Sequence, residues 1–410
     1  MPTALTMLGI VAGLIGTDFI LLMLLLAARL PVIDHTVGQD IALRWHRALG
    51  KPALYLLLAH AILLTSAYMA TDQTDVVSET VILFTTPDMA IAYLGLGLLV
   101  VVVVSSFVAV RRRFPYEVWH AIHLLSYVAV IVALPHQLSA GAVLAEGTVQ
   151  RWYWIIFYVG VLAAIVWFRF IVPTIRSFRH RLRVSTVEPI APGVVSIHLS
   201  GRDLDRLATA GGQYAIWRFW SRGVWWHAHP ISFSAVPTRT SARVTVRQLG
   251  RESAQLADLR PGTAVSIEGP YGMFTDRART SPYLAIVAAG IGITPVRTLL
   301  EHSALQPGEA TVLLRGADES QSYLWDEMVT LAAASGTRLY SMLGPRPPGQ
   351  PTWRSAEALD RGVTLATVFP ALKDSDLYVC GPTPWTDLVI QDARAAGLPD
   401  VQIHVERFDW

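Results

Sequence analysis

The sequence predicts a multidomain membrane protein: an N-terminal α-helical transmembrane bundle of about five spans, an antiparallel β-barrel and a C-terminal α/β domain with a parallel sheet. Apolar runs of membrane-spanning length fall almost entirely before residue 175. Short strand-like runs divided by Gly and Pro follow, and beyond them strand-like and helical runs alternate. These changes of pattern place the predicted domains at 1–175, 180–278 and 279–410.

The composition of the 410-residue chain fits a protein with one part in the membrane and another part in water. Hydrophobic residues make up 52% of it and charged residues only 16%. Lys and Arg (33) nearly balance Asp and Glu (31), so we expect no nucleic-acid partner. The single cysteine, Cys380, excludes both a disulfide framework and an iron–sulfur cluster built from the thiolates of this chain.

Five apolar runs each come near the ~20 residues that cross a bilayer. They lie at about residues 3–28, 41–70, 89–110, 116–136 and 152–172. Lys and Arg cluster at 29–51, 111–113 and 169–183, whereas 71–80 and 139–150 contain none and should face outward. Because short cytoplasmic loops collect basic residues, we expect a multi-pass protein of the cell membrane, with its N-terminus outside and everything after residue 175 in the cytoplasm.

Histidines within the second and fourth runs are the first functional candidates, because ionisable residues inside a membrane are costly. His46 and His60 are fourteen residues apart, which is about 21 Å along a helix and nearly four whole turns. His123 and His136 are thirteen residues apart, about 20 Å, and match the first pair in depth but not in angle. Pro135 can break the winding locally and turn His136 inward.

Two pairs of imidazoles at matched depth suit bis-histidine ligation of two b-type haems. We expect His46 with His123 near the cytoplasm and His60 with His136 near the outside. His120 remains the alternative to His123, although it lies about 24 Å from His136 and matches the depth less well.

These stretches, RWHRALG with a second histidine fourteen residues on and WHAIHLLSY with a further histidine thirteen on, resemble the ferric reductase and NADPH oxidase superfamily. The oxidases usually have six spans rather than five. In the oxygen-reducing relatives a further histidine lies one turn beyond the outer ligand, and Leu64 occupies that position here. The resemblance implies electron transfer across the membrane and favours an acceptor other than oxygen.

The barrel region contains HPISFSAVP, which resembles the flavin-binding segment of the ferredoxin reductase superfamily. The resemblance implies that FAD is lined by His229, Pro230, Ile231, Ser232, Phe233 and Ser234. Ser232 would bond near flavin N5 and so belong to the catalytic set. The following GRES segment, Gly250 to Ser253, precedes a short helix whose N-terminus would face the pyrophosphate, and EGPYG matches the family's Gly-Pro-x-Gly.

A nucleotide loop is predicted where the strand YLAIVAAG runs into GIGITPVRTLL. Gly290 and Gly292 let the backbone approach a phosphate, Thr294 can donate to it, and Pro295 begins the helix. This loop resembles the pyridine-nucleotide loop of the same family.

Two further segments resemble the family's nicotinamide site. CGPTPW places Cys380, Gly381 and Pro382 beside the nicotinamide, where Cys380 would help to align it with the flavin without acting as a nucleophile. HVERFDW supplies Glu406 and an aromatic ring that stacks on the flavin. We favour Phe408 for that ring, with Trp410 as the alternative.

The preferred nucleotide is less determined. Arg315, at the end of the strand ATVLLR, can pair with a 2′-phosphate, whereas Asp318 and Glu319 can accept from a ribose diol. The sequence favours NADPH over NADH.

The order of these sites predicts an NAD(P)H-dependent flavohaem oxidoreductase that passes electrons from cytoplasmic NAD(P)H through FAD and two b-type haems to an acceptor outside. We favour a ferric chelate as that acceptor. The alternatives are a superoxide-producing NADPH oxidase and a module that donates electrons to a membrane or extracytoplasmic protein partner. The sequence leaves the oligomeric state open.

Overall fold

The structure, a computed structural model, describes residues 2–114, 116–140, 142–207 and 209–407. It divides into two compact units, Met1–Phe170 and Ile171–Trp410.

The first unit is helical. Its helices are α1 (Pro2–Ala27), α2 (Pro31–Thr36), α3 (Gln39–Asp72), α4 (Val76–Thr85), α5 (Met89–Ser105), α6 (Val108–Arg111), α7 (Tyr116–Ser139) and α8 (Val149–Val166). Within the described residues, four helices are long and apolar enough to cross a membrane, and a fifth span results if the bent pair α4 and α5 counts as one. The predicted number of about five spans agrees with this count.

The third predicted span differs in detail from the structure. It was expected at about residues 89–110, but α5 ends at Ser105, and α4 precedes it at an angle of 110°. The segment 71–80 contains the start of α4, because the side chain of Asp75 accepts hydrogen bonds from the N–H groups of Val77 and Ser78 and caps the helix.

Helix α7 runs unbroken through Pro135, so this proline does not interrupt the winding as the sequence suggested. Helix α1 packs along α3, and α5 packs along α7. A separate apolar core joins α1, α7 and α8 around Leu21, Val130 and Tyr158. The histidine-bearing helices α3 and α7 are therefore each supported by a neighbouring apolar helix.

The second unit begins with a helix and an antiparallel barrel. After α9 (Val172–His180) come β1 (Arg183–Ala191), β2 (Val194–Ser200), β3 (Tyr214–Phe219), β4 (His229–Ala235), β5 (Ser241–Arg247), α10 (Arg251–Gln255) and β6 (Val265–Tyr271). The strand order is β1-β2-β5-β4-β3-β6, and a bridge between Arg183 and Ala264 brings the two edges together. Trp217, Phe219 and Phe233 fill the interior, which confirms the predicted barrel.

A five-stranded parallel sheet completes the unit. Its elements are β7 (Tyr283–Ala289), α11 (Ile293–His302), β8 (Ala310–Arg315), α12 (Trp325–Ser335), β9 (Arg338–Met342), α13 (Ala356–Asp360), α14 (Leu365–Val368), β10 (Ser375–Gly381), α15 (Thr383–Ala395) and β11 (Ile403–Arg407). The strand order β11-β10-β7-β8-β9 reverses between β7 and β10. Ligands of open α/β sheets bind at the carboxyl ends of strands at such a switch point.

A network of ion pairs joins the barrel to the parallel-sheet part. Arg243 of β5 makes a bidentate pair with Glu327 of α12, with both N···O distances at 2.8 Å. Arg297 of α11 bonds the same carboxylate at 2.5 Å and Glu301 at 2.6 Å, and Glu301 accepts from the backbone N–H of Val236. Arg297 is buried and Arg243 largely so, whereas the side chains of Glu301 and Glu327 are about a third exposed, so this contact is partly shielded from solvent.

Candidate functional site

The two histidines of α3 are oriented by backbone carbonyls of α1. Nδ1 of His46 donates to the carbonyl of Met23 at 2.9 Å, and Nδ1 of His60 donates to the carbonyl of Gly9 at 2.8 Å. A carbonyl only accepts, so the proton of each neutral ring is on Nδ1, and Nε2 keeps a free lone pair. Such a hydrogen bond on the far nitrogen is the usual support of a metal-binding histidine.

The histidines of α7 come close to these rings. The ring centroids of His46 and His123 are 6.0 Å apart, and the planes are inclined by 58°. His123 also stacks on Trp119 at 5.1 Å. The structure thus brings the members of the first predicted pair together, whereas the pairing of His60 with His136 stays a prediction.

The spacing of His46 and His123 would suit a metal held between the two rings. Two imidazoles that each bind one metal at about 2 Å have ring centres about 6 Å apart, which agrees with the observed spacing. Nδ1 of His123 is buried and has no hydrogen-bond partner among the described residues. The approach to His46 therefore favours His123 for a haem-binding role, whereas the ring contact resolved for His120 is with Trp119.

Strand β4 carries the predicted flavin segment. Nε2 of His229 and the hydroxyl of Ser232 are buried and lack a hydrogen-bond partner within the described part of the chain. Pro230 and Ile231 are half-buried between them. Buried polar atoms usually have partners, so a bound flavin that satisfied these two atoms would fit this strand.

The last two residues of the predicted flavin set are engaged elsewhere. Phe233 points into the barrel core, where its ring meets Trp217 edge-on at 5.2 Å. The hydroxyl of Ser234 accepts hydrogen bonds from Thr245 and Arg243. The alternation of side chains along a strand explains why Phe233 faces inward next to Ser232.

Burial, with smaller contributions from His227 and Arg218, lowers the pKa of His229 to about 4. The imidazole is therefore neutral at physiological pH. It can offer an N–H or a lone pair to a ligand, but it does not offer a positive charge to a pyrophosphate.

Helix α10 begins at Arg251, within the GRES segment and not after it as the sequence predicts. The hydroxyl of Ser253 accepts hydrogen bonds from the backbone N–H groups of Leu249 and Gly250. Ser253 therefore satisfies two backbone donors at the start of this helix. The role of Gly250 and Ser253 in binding remains a prediction.

The glycine loop after β7 lies against the end of β10. Gly290 has φ of +56°, a conformation that favours glycine. A Cβ on Gly292 would lie 2.5 Å from the carbonyl oxygen of Cys380, so only glycine permits this approach. Thr294 uses its hydroxyl to donate to Ile291 in the turn, at 3.0 Å, and Pro295 is buried at the helix start. The loop and the CGP segment thus meet at the switch point of the sheet.

Cys380 is buried beside Glu406. The two residues are aligned in the parallel pairing of β10 and β11. Burial raises the pKa of the Cys380 thiol well above its ordinary value, and the charge of Glu406 adds to the effect. The group is therefore a neutral thiol, which agrees with an aligning role and not with nucleophilic attack. Gly381 and Pro382 follow it at the mouth of the crevice, whereas Phe408 and Trp410 lie outside the described residues.

Known proteins resemble both parts of the chain. The sequence pattern of the family described as "Ferric reductase like transmembrane component" matches residues 12–134, and that of "Oxidoreductase NAD-binding domain" matches residues 286–390. Ferredoxin–NADP reductase B of Sorangium cellulosum is 33% identical over 184 residues, which cover 42% of this chain and 72% of that protein. The chain belongs to the ferric reductase and NADPH oxidase superfamily.

Other known proteins are similar to about half of this superfamily member. The ferredoxin reductase component of the 3-ketosteroid-9-alpha-monooxygenase of Rhodococcus rhodochrous is 28% identical, and the match covers 50% of this chain and 57% of that protein. The FAD/NAD-binding domain of the nitric oxide dioxygenase of Vibrio cholerae O1 biovar El Tor aligns with 56% of this chain and 99% of that domain, at 21% identity and a TM-score of 0.45.

Arg315 of this ferric reductase relative is not a solvated strand-end charge. It is buried, and its guanidinium donates to the carbonyls of Gly316, Met342 and Gly344. Burial, together with the positive charge of Arg346, lowers the pKa of the guanidinium. The group ties β8 to the end of β9 through its two Nη atoms, whereas its Nε is buried and has no hydrogen-bond partner among the described residues. The pairing of Arg315 with a 2′-phosphate stays a prediction.

Sequence reasoning missed the residues of the reductase that support the predicted ligands. The carbonyls of Gly9 and Met23 lie on α1, which contains no histidine. Glycines of α1 at 9, 13 and 16 follow a spacing of about one helical turn and were a signal that another helix approaches closely.

Proposed function

We propose that this protein passes electrons from cytoplasmic NAD(P)H through FAD and two b-type haems to an acceptor outside, and that this acceptor is a ferric chelate. The combination of a ferric reductase-like membrane part with a ferredoxin-reductase-type flavin and nucleotide part supports an electron-transferring oxidoreductase of the membrane. The observation that carries the proposal is the 6.0 Å approach of His46 and His123, with the far nitrogen of His46 already bonded to Met23.

FAD, when bound, takes a hydride and releases electrons singly, which a haem pair can carry across a membrane. His46, His60, His123 and His136 would hold the haems. The α1 carbonyls support the two α3 rings by fixing their tautomer and orientation.

In the soluble unit, Ser232 and neutral His229 would bind the flavin through their unpartnered buried atoms. Gly290 and Gly292 would admit the nucleotide phosphates, and buried Cys380 would border the nicotinamide without reacting with it. These residues bind and orient, and the redox chemistry belongs to the cofactors.

The basic clusters at 29–51, 111–113 and 169–183 support an orientation with the flavin and nucleotide domains in the cytoplasm. Leu64 supports the choice of acceptor. It packs against Gly9, where a Cβ would lie 2.9 Å from Leu64 Cδ2, so the position that carries a further histidine in oxygen-reducing relatives is apolar and closely packed here.

An anaerobic absorption spectrum of the purified full chain in detergent tests the electron path. Addition of NADPH or NADH should produce the spectrum of a reduced b-type haem, and His46→Leu should lose part of it. His35→Leu is the matched control, since His35 is an exposed histidine of α2. The absence of any reduced haem in the wild type would refute the proposal.

The acceptor is tested separately. Anaerobic reduction of ferric citrate by the reduced protein should be fast, and production of superoxide in air should be slow. The opposite ranking would favour the oxidase. Haem reduction with slow turnover of both acceptors would favour a protein partner.

A further inference from the structure

The loop between β3 and β4 displays two neighbouring tryptophans at the surface. Trp225 is 50% exposed and Trp226 is 56% exposed in the full chain. Their ring centroids are 5.8 Å apart, with planes inclined by 33°. Large exposed aromatic surfaces mark sites of interaction more often than chance positions.

This loop is held in place by the barrel. The guanidinium of Arg218 donates to the carbonyl of Trp226 at 3.1 Å and to that of Trp225 at 3.4 Å. Val224, just before the pair, is buried in the barrel core, and the N–H of Trp225 donates to the carbonyl of Ser221. The two rings are thus presented in a fixed place, which lowers the entropic cost of binding a ligand.

A row of rings leads from the tryptophan pair to the flavin strand. Trp226 meets His227 edge-on at 5.7 Å, and His227 lies 6.1 Å from His229. His227 is also close to Glu252 of α10, with Nδ1 3.5 Å from Oε2. His229 begins β4, and Ser232 follows later on the same strand. The tryptophan pair therefore lies beyond the His229 end, away from Ser232.

We propose that the Trp225–Trp226 pair binds the adenine ring of FAD by stacking. This inference rests on the proposed function, in which Ser232 and His229 would bind the flavin, with Ser232 near its N5. The adenine is the far end of FAD from the flavin ring, and the exposed tryptophans lie beyond the His229 end of the binding segment. An adenine offers a flat π-face, and tryptophan stacks on such faces.

The proposal distinguishes FAD from FMN, because FMN has the same isoalloxazine ring and no adenine. The experiment uses the full chain in detergent after removal of flavin, and follows the binding of FAD and FMN by flavin fluorescence. The double variant Trp225→Ala/Trp226→Ala should bind FAD roughly ten- to a hundredfold more weakly, as alanine substitution at base-stacking aromatics does. Its affinity for FMN should be unchanged.

Trp220→Ala is the matched control. Trp220 is 52% exposed in the same loop, but its indole donates to Ser266 on β6, and no ring contact is resolved that joins it to the row among the described residues. Its removal should leave FAD binding as in the wild type. Trp225→Phe/Trp226→Phe retains two aromatic faces and should recover most of the FAD affinity.

An FAD affinity of the double alanine variant equal to that of the wild type would overturn the proposal, as would equal losses for FAD and FMN. A wild-type chain that binds neither flavin would refute the proposed function as well. A wild type that binds FAD, with no effect of the tryptophans, would refute the adenine site alone.

Discussion

Gly13 of α1 leaves no room for a side chain beside His60. A Cβ at Gly13 would lie 2.4 Å from Nδ1 of His60 and 2.8 Å from its Cε1. The same ring donates to the carbonyl of Gly9, one turn earlier on α1. Contact and hydrogen bond together fix the ring, so helix α1, which contains no histidine, determines the position of the His60 imidazole.

We expect Gly13→Ala to displace His60 and to reduce the bound haem from two towards one per chain. The methyl group has no space unless the ring moves, and the Gly9 hydrogen bond is then lost. The measurement is haem content per purified chain together with the reduced spectrum. Gly160→Ala is the control, because a Cβ at Gly160 of α8 would meet nothing within 4 Å. Equal haem content in the two variants would contradict the proposed role of His60.

Cys380 should resist alkylation in the folded protein. The thiol is buried, and burial raises its pKa, so little thiolate is present at pH 7. We expect maleimide to label the folded protein more than about a hundredfold more slowly than the denatured chain. This factor needs only a free energy of about 3 kcal/mol for the local unfolding that exposes the thiol. Because Cys380 is the single cysteine, the measurement needs no other variant. Rapid stoichiometric labelling at pH 7 would show an accessible, activated thiol instead.

Arg315→Ala should destabilise the soluble unit without changing nucleotide preference. Removal of the guanidinium leaves three carbonyls without this donor, at a cost of roughly 1–3 kcal/mol. The ratio of the KM for NADPH to the KM for NADH should stay within about twofold of the wild-type ratio. If Arg315 bound the 2′-phosphate, the loss of an interaction of about 1.4 kcal/mol would change this ratio about tenfold.

Arg346→Ala provides the comparison, because Arg346 is exposed and its charge acts on Arg315. A selective rise in the KM for NADPH in the Arg315 variant alone would instead support the pairing of Arg315 with a 2′-phosphate that the sequence predicts. The thermal midpoint of each variant separates this effect from a loss of fold.

His229 should make folding stability depend on pH. Its pKa is about 4 in the folded chain and near its ordinary value of 6.5 in the unfolded chain. Between these values the unfolded chain binds a proton that the folded chain does not. The stabilising contribution is complete above about pH 6.5 and is lost as pH falls to about 4, with an upper bound of about 3 kcal/mol.

Thermal midpoints of the flavin-free wild type and of His229→Asn, measured between pH 7.5 and 4.5, test this expectation. The wild type should lose stability more steeply as the pH falls, and the exposed His302→Asn should follow the wild type. Parallel curves for the wild type and His229→Asn would show that His229 is not buried as described.

The sequence predicted the parts whose signal is periodic. Strand-like runs between turns gave the barrel and the parallel sheet, and helical spacing put His46 and His60 on one face. The sequence analysis did not predict helix α4, because this helix begins in a polar stretch. The side chain of Asp75 caps its first turn.

The remaining misses arise from contacts distant in sequence. In the sequence, Arg315 has the position of a charge at the end of a strand. Only the fold brings the carbonyls of Met342 and Gly344 to its guanidinium. The row from His229 to Trp226 likewise depends on how the loop turns back on the barrel, which no local pattern specifies.

The ion pairs between Arg243, Glu327, Arg297 and Glu301 limit how this reductase can recombine with others. If this barrel were fused to the nucleotide domain of another protein, Arg243 would lose its partner Glu327. If the barrel of another protein were fused to this nucleotide domain, Glu327 would keep Arg297 but lose Arg243. Removing one partner of this partly buried network leaves the other charge without its counterion, which is unfavourable. Chimeric reductases built from this chain should therefore exchange the barrel together with α11 and α12, as one inherited block.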